Sequence, residues 1–161
     1  MAKVKQGQSA YDAALDYLTP KDRTQREVEN YLDERNYSEI EVINTIERLK
    51  ANGLIDDERY AKRFVETRLN TKPISRQKLR QQLEAHFIAP ETISSALAYV
   101  SNEMEGSNAL AIAEKFYRQF SGLEEGERLR RVELRLSSRG YSYDCIKEAI
   151  KTLNLLKDDE D

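Results

Sequence analysis

Four arginines, Arg128, Arg131, Arg135 and Arg139, follow one another at steps of three, four and four residues. On a helix that spacing makes one stripe along a single face. Cations held in a row can track phosphates or an acidic protein groove. A second basic set, Arg76, Lys78 and Arg80, lies within 72–86, and a third, Arg59, Lys62, Arg63 and Arg68, dots the stretch "GLIDDERYAKRFVETRL" at 53–69. The adjacent carboxylates Asp56 and Asp57 offer acid and base chemistry. Their position after Gly53 is also where a helix start favours negative charge, and that is the better account. The single histidine, His86, reads as a structural or surface group, and the single cysteine, Cys145, leaves no partner for an intrachain disulfide. The sequence has no G-x-x-x-x-G-K-[ST] phosphate loop, no G-x-G-x-x-G, no H-E-x-x-H and no Cys/His metal spacing. These residues describe a binding protein rather than an enzyme, with no cofactor, metal or small-molecule substrate.

The elements that carry these residues repeat. Val28, Leu32, Val42, Ile46 and Leu49 recur 51 residues later as Leu79, Leu83, Ile93, Leu97 and Val100, and a further 53 later as Val132, Leu136, Ile146, Ile150 and Leu153. Ala14 and Leu18 recur as Val65 and Leu69, then as Phe116 and Phe120. The change of step places a two-residue insertion in "SGLEEG" at 121–126. Within each set the spacing is helical and marks a core-facing stripe. Helix starts recur as well: Thr24 with Glu27 and Ser38 with Glu41 are capping boxes, Ser75 and Ser142 occupy equivalent columns, and Pro90 suits a first helical position.

The expected fold is all-α, a tandem array of three three-helix, helix-turn-helix-like repeats, elongated and with room to curve. The expected organisation is a flexible N-terminus over 1–9, repeats over 10–55, 56–101 and 107–155, and an acidic tail over 156–161. The polar run "SNEMEGSN" reads as a longer connector before the third repeat, whose first helix is expected from 107. Leu54 and Ile55 are expected to pack across the first junction. With 6 Gly and 3 Pro in 161 residues, there is little material for turn-rich β architecture.

The net charge of −3 equals that of the last five residues alone, so the rest of the chain balances and only the distribution informs. The windows 21–35, 72–86 and 128–139 sum to −1, +3 and +4. The middle helices of the second and third repeats are therefore basic, and that of the first is not. The start "MAKVKQGQ" lacks a signal-peptide core, and no run approaches the roughly 20 apolar residues of a membrane span. A cytoplasmic setting without membrane contact is the expectation.

The stretch at 53–69 resembles the signature segment of the RecX family, bacterial regulators of the RecA recombinase. The matching positions are Gly53, Leu54, Ile55, Asp56, Asp57, Tyr60, Ala61, Phe64 and Arg68. "SRQKLRQQLEAHFI" at 75–88 is similar to the family's next helix, and "LRLSSRGYSYDCIKEAI" at 134–150, with Arg139, Gly140 and Tyr141, to its third-repeat turn. The resemblance covers roughly residues 10–153. It implies a helical modulator that lies along the groove of a RecA filament and restrains ATP hydrolysis and strand exchange, with at most weak contact to single- or double-stranded DNA. From the residues alone, a DNA-binding helix-turn-helix-like repeat protein acting without RecA stands beside it.

Overall fold

The computed structural model describes residues 7–160. Residues 1–6, most of the segment expected to be flexible, lie outside that range, as does Asp161. Among the described residues the chain is helical and without strands, in the order α1 Ala10–Leu18, α2 Gln25–Glu34, α3 Glu39–Ala51, α4 Asp57–Thr71, α5 Arg76–Ala85, α6 Pro90–Leu97, α7 Asn102–Gln119, α8 Glu125–Ser138 and α9 Tyr143–Asp158. These are three repeats of three helices.

The caps are where the sequence puts them. Thr24 and Ser38 form reciprocal capping boxes with Glu27 and Glu41, and Ser142 accepts from the backbone N–H of Cys145. Each box satisfies two amides that the first helical turn leaves without a partner. The turns after α2, α5 and α8 also match. Asn36, Phe87 and Gly140 hold the same column, each with positive φ: 63°, 62° and 87°.

The aliphatic register is the core. Val28, Leu79 and Val132 are fully buried at equivalent positions, as are Leu32, Leu83 and Leu136. The chain divides into two compact units, Met1–Arg63 with Leu83–Ile93, and Phe64–Gln82 with Ser94–Asp161. In the first, α1, α2 and α3 pack mutually around Ala14, Val28, Leu32, Ile46, Leu49 and Ile55. In the second, α7, α8 and α9 pack around Ala109, Ala113, Phe116, Val132, Leu136 and Leu153.

Several expectations are corrected. Residues 102–106 are not a connector but the opening of α7. Ser101 caps this helix through the N–H of Met104, and Glu103 and Glu105 sit in its first turn. Carboxylates there favour helix at the positive end of the dipole, and that outweighs the helix penalty of Gly106. Helix α6 ends at Leu97, short of the repeat boundary expected at 101. Ile55 is buried in the first core, whereas Leu54 is 41% exposed. Ile146 and Ile150 are half-buried at the edge of the third core. Helix α8 starts a turn before the position equivalent to Thr24 and Ser75, with Glu124 as its cap, so Arg128 stands where those hydroxyls would be.

The acidic tail begins inside α9, which runs to Asp158. Lys157 donates to the Tyr117 hydroxyl and to Glu125, while Asp158, Asp159 and Glu160 are exposed. Ending the chain after Lys157 is therefore expected to leave the thermal melt unchanged. A lower melting temperature would mean that the acidic residues contribute to the fold.

Candidate partner-binding surface

Two junctions built on one plan position the basic helices. In the first unit, the Thr24 hydroxyl donates to the His86 carbonyl at 2.8 Å, and the Asp57 carboxylate accepts from the Gln25 N–H at 2.9 Å. In the second, the Ser75 hydroxyl donates to the Arg139 carbonyl at 2.5 Å, and Glu105 accepts from the Arg76 N–H at 3.2 Å. Each time, the start of one repeat's middle helix is completed by the next repeat. A hydroxyl reaches the carbonyl that ends the following middle helix, and an acid from the following first helix covers a free amide. Thr24 and Ser75 are buried at 0% and 1% exposure, so these bonds satisfy groups that would otherwise be orphaned.

This gives the paired aspartates separate tasks. Asp56 accepts from the Arg59 N–H at 3.0 Å and starts its own helix. Asp57 caps α2 instead. Burial raises the Asp57 and Glu105 carboxyls above the ordinary carboxylate range, while the amides of Gln25 and Arg76 pull the other way. A carboxyl raised in the folded state stabilises it when protonated. That contribution is complete below the unfolded pKa and is lost as pH rises through the folded one. Glu105→Gln keeps an oxygen to accept from Arg76 and no longer titrates. Its melting temperature relative to wild type is expected to rise between acidic and neutral buffer, and a difference that does not change with pH would show that Glu105 carries no such linkage.

The basic residues fall into distinct situations. Arg59 donates to the Gly53 carbonyl at 2.7 Å, and Arg63 pairs with Asp22 at 3.5 Å with both side chains exposed. Lys62 is exposed. The guanidinium of Arg68 lies 4.8 Å from the Phe64 ring centre. On α4, Ala61 and Val65 are buried, while Tyr60, Phe64 and Leu69 are half-buried. Arg76 reaches Glu105 at 3.8 Å, the Val100 carbonyl at 3.3 Å and Asn102 at 3.0 Å, so its guanidinium serves the junction. Arg80 flanks a shallow groove between α5 and α6.

The stripe on α8 is graded. Arg128 donates to the Tyr117 carbonyl at 2.7 Å and stacks 3.3 Å from that ring's centre. Arg131 and Arg130 each reach Glu127 at 3.0 Å, and their hydrogen bonds hold its carboxyl down to about 2. Arg135 and Arg139 lie 5.3 and 4.7 Å from the Phe116 ring centre. Arg131 and Arg135 are exposed and Arg139 is half-buried. Tyr141 is buried beneath the turn. Burial raises the Cys145 thiol above its usual range, which keeps it from being a reactive thiolate. Among the described residues there is no group of three or more His, Cys, Asp or Glu that could hold a metal ion, and no helix long and apolar enough to cross a membrane.

The junction acid Glu105 went unread in the sequence, as did Lys115 beside the basic surface. Glu105 sits in a polar run with Gly106, and its partner amide is 29 residues away. The equivalence of Gln25 and Arg76 was the available signal.

Three family models match in chain order: the first three-helix domain of RecX over 10–49, the second over 56–97 and the third over 103–150. The chain belongs to the RecX family. Relatives bearing the name regulatory protein RecX include those of Bacillus subtilis (strain 168), 30% identical over 158 residues, and Limosilactobacillus reuteri (strain DSM 20016), 31% identical over 153. The matches cover 98% and 93% of this chain but 59% and 58% of those relatives, so the RecX-family chain spans about three fifths of their length. A crystal structure of RecX from Lactobacillus salivarius superposes with a TM-score of 0.86 at 28% identity, covering 91% of this chain and 95% of that one. A second, of regulatory protein RecX, gives 0.80 at 29%, covering 88% and 71%.

Proposed function

We propose that this chain acts in the cytoplasm by lying along the groove of a RecA filament and slowing its ATP hydrolysis and strand exchange, the ATPase belonging to the partner. The observation that carries the reading is the ordered match of all three repeats to the three RecX domains. The exposed cations of α8 support it, since a row of fixed charges on a rigid helix suits an extended, regularly repeating acidic surface. The deciding measurement is DNA-dependent ATP hydrolysis by RecA with increasing amounts of this chain. Inhibition at low concentration, with weak and salt-sensitive binding to naked DNA, is the expected result. Tight binding to a particular duplex without RecA would favour the helix-turn-helix reading.

Arg131→Glu with Arg135→Glu is expected to weaken inhibition about tenfold, equivalent to about 1.4 kcal/mol. Helical content should not change, because both side chains are exposed. If the double variant inhibits as wild type does, the stripe is only solvated surface.

A further inference from the structure

The outer face of α3 departs from the pattern of the other repeats. Ile40 and Ile43 are 71% and 49% exposed. Their columns hold Glu91 and Ser94 in the second repeat and Asp144 and Lys147 in the third. Local helix preference does not account for the change, since isoleucine is a poorer helix former than glutamate or lysine. Ile43 lines an open groove of about 590 Å³ between α2 and α3, with Val42 and Ile46 buried at its base. The rim of that groove is acidic. Arg26 is tied to Glu29 at 3.2 Å, which leaves Asp33, Glu39 and Glu47 on the lining with Lys50 as counter-charge. The equivalent groove of the second repeat, between α5 and α6, is lined by Arg76 and Arg80 and by no carboxylate.

An apolar strip flanked by acids matches a helix that carries an apolar side chain among cations. This chain has such a helix. On α8, Arg131, Leu134, Arg135 and Ser138 follow at i, i+3, i+4 and i+7, and all are exposed, Leu134 to 57%. That spacing makes one face. A guanidinium has several donors, so Arg131 keeps its bond to Glu127 while meeting a second carboxylate. Both faces are exposed in the chain, so what covers either comes from a second molecule.

We propose that the groove between α2 and α3 of one copy takes the exposed face of α8 from a second copy, with Leu134 against Ile40 and Ile43 and the arginines toward Asp33, Glu39 and Glu47. The contact joins unlike surfaces, so it either extends head to tail or closes as a ring. Arg131 and Arg135 are covered in it and cannot also face a filament. That consequence alone rests on the filament reading.

The test is sedimentation equilibrium of the whole chain, without RecA, over a wide range of concentration and salt. The average mass is expected to rise above that of one chain at high concentration, and to fall back as salt screens the charges. Ile43→Ser installs the residue type of the second repeat's column and should raise the dissociation constant at least about tenfold, as loss of a central anchor does. Leu155→Ser removes a leucine that is 57% exposed and lies on neither face, and should associate as wild type does. Asp33→Arg with Glu47→Arg, and Arg131→Glu with Arg135→Glu, should each be monomeric alone and associate when mixed, because only the mixture restores opposite charges across the groove. Adding Ile43→Ser to both chains should weaken the mixture as well, which separates the contact from simple attraction between oppositely charged molecules. All these side chains are exposed, so each variant is expected to melt close to wild type. Wild type that keeps the mass of one chain at every concentration overturns the proposal. So does equal weakening by Ile43→Ser and Leu155→Ser, or a mixture that stays monomeric. If wild type stays monomeric but binds a synthetic helix of leucine and lysine, and Ile43→Ser loses it, the groove belongs to a foreign basic helix and not to a second copy. Because the assay omits RecA, its failure leaves the filament reading standing.

Discussion

Leu136→Asp is expected to abolish the folded third repeat. Leu136 is 0% exposed and sits in one cluster with Phe116, Val132, Ala149 and Leu153. Truncating a buried leucine removes about 2–5 kcal/mol by itself. Placing a carboxylate in the vacated apolar space adds a desolvation penalty of several kcal/mol, or forces the group to protonate. The sum rivals a typical total stability of about 5–15 kcal/mol. Leu134 is two residues away on the same helix and 57% exposed. Leu134→Asp should therefore stay within about 0.5 kcal/mol of wild type. The two melts by circular dichroism form one experiment, and similar curves would contradict the burial of Leu136.

Gly140→Val should cost about 2–5 kcal/mol. Gly140 has φ of +87°, and a Cβ built on it meets the Ser75 hydroxyl oxygen and the Gln77 Cβ at 3.1 Å. The left-handed backbone alone penalises a β-carbon by about 1–2 kcal/mol, and crowding adds about 1–3. The column explains which part matters. Asn36 and Phe87 hold the same positive φ with side chains present, so this turn tolerates a Cβ where there is room. At Gly140 the Ser75 hydroxyl oxygen and the Gln77 side chain stand at 3.1–3.2 Å from the Cβ position and leave no such room. Gly53 is the contrast, with φ of +70° and nothing within 4 Å of a Cβ. Gly53→Ala should cost only about 1 kcal/mol. Chemical denaturation separates them; equal losses would show that backbone conformation, not the approach of Ser75, governs Gly140.

The core was legible because one physical requirement is written three times. Val28, Leu79 and Val132 must each bury a stripe on a helix of the same period, and a fixed step in the chain exposes the rule. Caps were legible for a similar reason: Thr24 and Ser38 meet their glutamates three residues on. What the sequence hid is long-range. Glu105 looked like part of a polar loop, yet it covers the Arg76 amide from another repeat. Arg76 looked like a partner-facing charge, yet its guanidinium is engaged by Glu105, Val100 and Asn102. Lys115 was not singled out at all, since nothing local tells that α7 passes the start of α5. Periodicity reports which face a residue takes; it does not report what stands opposite.

The junction plan has a consequence for how opening of one repeat is felt by its neighbour. The amide hydrogens of Gln25 and Arg76 have their acceptors in the following repeat, on Asp57 and Glu105. First-turn amides of a helix have no acceptor within it and normally exchange with solvent readily. Here their protection lasts only while the next repeat stays closed, so their deuterium uptake times the breathing of a neighbour rather than of their own helix. Helix α8 has no such reporter at the equivalent place, because its extra turn at Glu124 keeps the capping local. Exchange at two backbone positions would thus read out motion passing between consecutive repeats, one direction along the chain.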